Sequence, residues 1–319
     1  QWDKIFIPFF IFEALFSLPV FLVIKNGKTI TSLSREISPA VEKTSAVLYS
    51  AALAWSAAVS AARFELFMST VMFSGKILTP FMLVLICACV YIALKGIQTT
   101  GRCCSLVFVL VAVSAFAVLA VTVKSFDVYN LTPPLYDGIM PVIKNGFSAA
   151  ARTSELGALL LVSPLVNGNP KKGFYLWTFG LGLFASLMLG FISGTAGAYG
   201  DNQIFQLYAL TSLAKFGTTV KADGLITAMW VLCALFRTSF YILLSAETFN
   251  YAFRPKNKTP TYCVLGVCVF AVYAVLASKT SLFSDLLSSG INEGIYCVFV
   301  AVIPLCVFAA YKIRKKTRK

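Results

Sequence analysis

Apolar runs of about 20 residues, the length an α-helix needs to cross the hydrocarbon core of a bilayer, recur along nearly the whole chain. Nine such runs fall at 5–24, 45–73, 77–94, 103–123, 146–166, 174–198, 225–249, 262–277 and 291–311, designated A to I in chain order. Polar, Gly- or Pro-bearing joints separate them, among them Lys25-Asn26-Gly27, Asn167-Gly168-Asn169-Pro170-Lys171-Lys172 and Arg254-Pro255-Lys256-Asn257-Lys258. No joint is long enough to fold alone, so residues 1–319 are expected to form one membrane-embedded domain. Composition agrees: 58% of the 319 residues are hydrophobic and only 13% charged, well outside the usual soluble range. The expected fold is all-α and integral to the membrane.

The chain has 27 Lys and Arg against 13 Asp and Glu, a net charge of +14. A nucleic-acid partner would need those charges gathered on a soluble face. They are instead sorted by side of the membrane. If the basic tail Lys312 to Lys319 is cytoplasmic, alternation of the nine spans places 17 basic residues inside and seven outside, with Arg63, Arg152 and Arg237 within spans. The basic excess is a topology signal, and no nucleic acid is implied. The same alternation leaves the start of span A outside. The chain opens Gln1-Trp2-Asp3-Lys4, without an initiator Met or a signal-peptide pattern, so an upstream helix is expected to be missing from it. Restoring one gives ten spans, which divide five plus five as in inverted-repeat transporters.

Histidine is absent, which removes Ser/His and Cys/His nucleophile pairs, HExxH zinc sites and His-ligated haem. The nine cysteines lie in or beside apolar runs without a C-x-x-C spacing. They read as small buried hydrophobes, with the adjacent Cys103 and Cys104 a weak case for lipidation. No cofactor or metal is expected, and no enzyme activity.

Ionisable side chains at membrane depth cost a few kcal/mol and so tend to mark functional interiors. Span A carries Glu13, B carries Arg63 and Glu65, E carries Arg152 and Glu155, and G carries Arg237. Spans C, D, F and H carry none. A cavity bounded by A, B, E and G is the economical expectation. Arg152 and Glu155, three apart, either pair on one helix face or serve a ligand. Arg63 and Glu65, two apart, face nearly opposite ways, and one of them can snorkel to the interface. Glu13 and Arg237 have no local partner; they either pair across helices or serve a substrate and a proton. Glu13 and Glu65 are the candidates for ion or proton coupling.

Span E departs furthest from an ideal transmembrane helix. Its run from Gly146 to Gly157 holds Ser148, Arg152, Thr153, Ser154 and Glu155 before turning apolar towards Ser163 and Pro164. Such a stretch suits either an interrupted helix whose ends contact a ligand or a packed helix with small interface residues. At interrupted ends, an amino-acid carboxylate or amine is a natural guest. Ser50, Ala54, Ala57, Ala58 and Ala61 give span B a small-residue face, and Gly190, Gly194 and Gly197 give one to F, both read as close helix packing. Residues 201–216 look like an amphipathic segment over the outer face, either covering the cavity mouth or lying passively at the interface.

Lys95-Gly96-Ile97-Gln98 followed by Arg102 resembles the Gly-Ile-Glu…Arg segment of endospore germination permeases, the B subunits of GerA-type germinant receptors. Asn130-Leu131-Thr132-Pro133, Ser154-Glu155…Pro164, Tyr199-Gly200 and Trp230 follow in that family's order. Gln98 stands where the family often has an acid. The resemblance implies a ten-helix fold of the amino acid–polyamine–organocation superfamily, with A to I as its second to tenth helices and E in the role of the sixth. It places Thr153, Ser154, Glu155 and Gly157 at a ligand site, to which membrane depth adds Arg237. It further implies a small-molecule germinant such as an amino acid, A- and C-type partner subunits, the inner spore membrane and a cytoplasmic C-terminus. The alternative is a proton- or sodium-coupled amino-acid transporter of the same superfamily, with Glu13 or Glu155 as the titrating carboxylate.

Overall fold

The computed structural model describes residues 2–25, 28–73, 79–131, 138–151, 155–162, 170–201, 205–213, 215–216, 220–221, 223–278 and 290–317. Span A is α1 (Trp2–Ile24), followed by a short α2 (Ile30–Ile37) that the sequence reading left within a joint. Spans B, C and D are α3 (Pro39–Val71), α4 (Thr79–Leu94) and α5 (Ile97–Thr122). Span E is described as two helices, α6 (Ile139–Ala151) and α7 (Glu155–Val162). Span F is α8 (Pro170–Asp201), followed by α9 (Gln206–Leu213) and two paired two-residue strands, Lys215–Phe216 and Val220–Lys221. Spans G and H are α10 (Asp223–Phe253) and α11 (Thr259–Ser278). Span I comprises α12 (Gly290–Cys297), a π-helical turn Val298–Val302, and α13 (Ile303–Thr317).

Among the described residues, six helical stretches are long and apolar enough to cross a membrane, with shorter apolar helices at Pro8–Ile24 and Thr79–Leu94. The protein is an all-α multi-pass membrane protein. Its local punctuation follows ordinary rules. Thr29 caps α2 by accepting from Ser32 N at 3.0 Å, and Ser38 with Pro39 starts α3. Gly96, at φ 83°, makes the sharp joint between α4 and α5, which is why the Lys95-Gly96 pair stands out in the sequence.

The centre is the pairing of α3 with α10, the most extensive helix contact in the molecule. The small-residue face of span B makes it possible: Ala57, Ala58 and Ala61 are fully buried, which lets the backbones approach. Hydroxyls tie the seam. Ser245 Oγ donates to Ser50 O at 2.7 Å and lies 2.9 Å from Ser50 Oγ, and Thr238 Oγ1 donates to Ser60 Oγ at 3.3 Å. The apolar window of α3 is 67% buried, whereas those of α5 and α8 are 22% buried and present Phe108, Phe116, Leu176 and Leu187 outwards, to lipid.

The packing repeats itself. Helix α3 packs on α11 as α10 packs on α4, and α1 packs on α8. A short helix precedes each member of the central pair: α2 before α3 and α9 before α10. These two lie at opposite ends of α10, because residues of α2 share a cavity with its last turns and Leu207 of α9 shares one with its first half. Equivalent elements on opposite sides are the arrangement expected of an inverted repeat.

The Gly190, Gly194 and Gly197 face of span F is met by the connection after α5, which ends in a 3-10 helix, Val128–Leu131, packed on α8. A Cβ at Gly194 would lie 2.2 Å from the ring of Phe126. Asn130 Nδ2 donates to Gly194 O at 2.9 Å, and Gly197 takes φ 51° inside α8. Spacing alone does not tell that the partner is a short 3-10 segment rather than a membrane-spanning helix.

Candidate functional site

Glu155 is the first described residue of α7. Its Oε1 lies 2.6 Å from Nη2 of Arg237, near the middle of α10, and accepts a hydrogen bond from the Tyr241 hydroxyl at 2.9 Å. The guanidinium also stands 5.8 Å from the centre of the Tyr241 ring. Tyr241 follows Arg237 by one helical turn, so one face of α10 supplies both partners of the carboxylate. Arg152, Thr153 and Ser154 lie outside the described residues, and with them the expected interruption of span E. The pair of Glu155 with Arg237, from different helices, is one that sequence reasoning did not weigh: it set Glu155 against Arg152 and Arg237 against Glu13. Sequence proximity favoured Arg152, and nothing in the sequence reports the approach of α7 to α10.

Arg237 is 40% exposed at its side chain, towards a cavity of about 630 Å³. This cavity, called outer after the sidedness expected from the sequence, lies between α3, α5, α8, α9 and α10, with Ser60, Arg63, Trp230 and Cys233 among its walls. Among the described residues, B and G of the expected A, B, E and G line it, together with α5, α8 and α9, which contribute residues such as Val111, Met188 and Leu207. Charges mark only the polar side of a cavity, and an apolar wall looks like any lipid-facing helix. Arg63 lines the cavity while Glu65, two residues on, does not. Glu65 faces α11, where Tyr273 is its electrostatic neighbour.

The mouth is aromatic. Trp230 stacks on Phe67 at 4.7 Å, and Phe205, just before α9, meets both rings edge-on. With Leu207 in the wall and Leu210 fully buried, α9 covers this end of the cavity. Of the two readings of residues 201–216, the cover is the one these contacts favour. Gly157 is a packing position: a Cβ would lie 2.1 Å from the Phe299 ring, in the π-helical turn of span I. Tyr49 donates to the Phe299 carbonyl at 3.2 Å, occupying an acceptor in that irregular turn. Ser148 of α6 bonds Glu293 of α12, joining span E to the last span a second time. Glu13 is fully buried on α1, which packs against α6, α7 and the π-turn.

Residues 2–282 match the family model described as spore germination protein. The chain is also similar to spore germination protein KB of Bacillus subtilis (strain 168), 24% identical over 259 residues that cover 76% of this chain and 68% of the relative. The match runs from α1 through α11, taking in this cavity and the Glu155–Arg237 pair, and the chain belongs to the spore germination permease family.

Proposed function

We propose that the protein is the permease-like B-type subunit of a germinant receptor, and that it binds a small nutrient, an amino acid or similar solute, beside Glu155 and Arg237. The observation that carries this reading is an ion pair at membrane depth bordering a cavity of about 630 Å³. A volume of this order is typical of small-molecule sites. The pair is matched to a zwitterion: a guest carboxylate takes Arg237, its ammonium takes Glu155, and one ion pair becomes two. Thr153 and Ser154 join the site on the strength of the family resemblance, and Gly157 lets α7 lie against Phe299.

Exchange of that pair loosens α7 from α10, and α7 also touches α1 and α2. A nutrient moves this equilibrium only by its different affinity for the two arrangements. A- and C-type receptor subunits in the inner spore membrane then read the change, with the basic C-terminal end of α13 on the cytoplasmic side. Germination by spores carrying Glu155→Gln or Arg237→Ala tests the site. Both variants are expected to raise the nutrient concentration needed at least about tenfold, the loss of one charged contact. An unchanged concentration dependence in both removes the assignment.

Fully buried Glu13 favours a second reading, a proton-coupled amino-acid transporter in which this carboxylate titrates. Uptake of labelled amino acid into proteoliposomes, driven by a proton gradient and lost in Glu13→Gln, is the result that establishes it. Gradient-independent accumulation, or none, rejects it.

A further inference from the structure

The start of α2, the Gly96 joint and the last turns of α10, Asn250 and Tyr251 among them, enclose an inner cavity of about 660 Å³. Helix α13 packs on α2, with Tyr311 beneath Lys28, so the last turns of α13 lie at the same end of the molecule. The sidedness read from the sequence puts 17 basic residues at this end and only three acids, Glu36, Glu42 and Glu247. Two of those acids close pairs at the cavity rim. Lys28 binds Glu36, and Lys258 lies 3.4 Å from Glu247, which also accepts from the Tyr262 hydroxyl at 2.6 Å. The third, Glu42, is buried. Elsewhere in the chain acids and bases cancel, so this end carries the whole net charge of +14.

The surplus is densest at α13, where six of the last eight residues are basic. The helix continues through Thr317, with Lys312, Lys315 and Lys316 exposed. Among the described residues, none of these lysines pairs with an acid. Nor do they simply extend into water. Lys312 stands 5.1 Å from the centre of the Phe308 ring and Lys315 6.0 Å from that of Tyr311, while Lys95 and Lys43, at the same end, stand over Tyr91 and Phe253. Lysine stems laid on rings hold their ammonium groups at the membrane interface, where headgroup phosphates lie.

The outward face of α13 continues into the same lysines. Leu305, Cys306, Ala309 and Ile313 form one exposed apolar stripe at helical spacing, and Ile313 is 68% exposed. At 3.6 residues per turn, Lys316 falls on the line of that stripe and Lys312 beside it. We propose that the end of α13 is a binding site for an anionic phospholipid. The acyl chains lie along Leu305 and Ala309, and the phosphodiester is held by Lys312 and Lys316, with Arg314 and Lys315 adding to the local field. Exposed Ile313 among the bases favours a lipid over an acidic soluble protein, since an apolar residue gains nothing from a charged protein surface. The site lies away from the outer cavity and needs neither Glu155 nor Arg237.

Native mass spectrometry of the purified full chain in detergent, titrated with phosphatidylglycerol or phosphatidylcholine, resolves the first lipid bound. The wild type is expected to bind phosphatidylglycerol at least about fivefold more tightly than phosphatidylcholine, the share of one basic residue near an anionic surface. Added salt is expected to erode that preference. The variant Lys312→Gln/Arg314→Gln/Lys315→Gln/Lys316→Gln is expected to bring it close to one, whereas Lys312→Arg/Lys315→Arg/Lys316→Arg keeps it. Lys95→Gln/Arg102→Gln/Arg254→Gln/Lys256→Gln, an equal loss of charge at the same end, is expected to leave most of it. The proposal is overturned if the wild type shows no preference, as for a surface that meets an acidic protein instead. It is equally overturned if the two fourfold Gln variants lose the preference alike, or if inorganic phosphate at matched ionic strength displaces the lipid.

Discussion

The two ends of α10 hold cavities of similar size, about 630 and 660 Å³, built on opposite electrostatic plans. In the outer one, charge reaches membrane depth: Arg237 sits mid-helix and takes its counter-charge from α7, a different element. In the inner one, charge stays at the rim, in pairs whose members are 37 to 60% exposed, and the depth is left to a neutral amide. The difference teaches where each end can respond. An ion pair between two helices at membrane depth has few alternative partners, so a charged guest that offers one changes the packing of those helices. Rim pairs already have water as an alternative, and a guest there changes little.

The largest expected effect is at the outer pair. Arg237→Ala strands Glu155, and Glu155→Gln strands Arg237; each is expected to destabilise the protein by about 3 kcal/mol, near the lower bound for breaking a buried pair because the guanidinium is partly open to the cavity. The double variant Glu155→Gln/Arg237→Gln is expected to recover most of that loss, since no uncompensated charge remains. Thermal melting of the four proteins in nanodiscs reads the coupling. Additive losses would mean that the pair is not held at depth, and the contrast between the two ends would collapse.

Next is the contact that sets α7 in place. Gly157→Ala puts a methyl group 2.1 Å from the Phe299 ring, against the π-helical turn. A loss of about 2 kcal/mol is expected from overpacking. Phe299→Leu in the same chain is expected to restore part of it, which a purely local helix effect at position 157 would not show. At the inner end the sign reverses. Asn250→Leu removes two bare polar atoms and is expected to stabilise the ligand-free protein by about 1 kcal/mol. If melting shows a loss there instead, the amide has a partner within the protein.

These effects divide along the line between what was and was not legible in the sequence. Among the described residues each of the nine apolar runs carries helix, because hydrocarbon thickness and backbone satisfaction leave a long apolar segment little choice. Arg237 and Glu155 stand out in the sequence for a related reason: a charge inside an apolar run is conspicuous. What escaped notice was local and polar, or distant and apolar. Helix α2 spans eight residues with Ile30, Leu33 and Ile37 at helical spacing behind the Thr29 cap, a signal weak enough to pass for a joint. The walls contributed by α5 and α8 carry no mark, since a residue facing a dry cavity and one facing lipid obey the same preference. Asn250, near the end of an apolar run, reads as an ordinary helix-end polar residue. Only its burial makes it unusual.

The smallest effect tests the rim. Lys28 binds Glu36 across the length of α2 and stands 5.5 Å from the centre of the Tyr311 ring on α13, so it joins the inner rim to the last helix. The bond to Glu36 raises the Lys28 pKa above its ordinary value of 10.5, although partial burial opposes the shift. A raised folded-state value means that the stabilisation is fully present below pH 10.5 and is lost as pH rises through the higher folded-state value. With both side chains more than a third exposed, water and salt screen the pair to a few tenths of a kcal/mol. The melting difference between the wild type and Lys28→Gln is therefore expected to be small and constant from neutral pH to about pH 10, to shrink above that, and to fall with added salt. By contrast, the coupling between Glu155 and Arg237 is expected to persist in the same salt series, because screening acts mainly on exposed charges. Equal salt sensitivity at both pairs would place them in the same environment and remove the distinction between the depth of one cavity and the rim of the other.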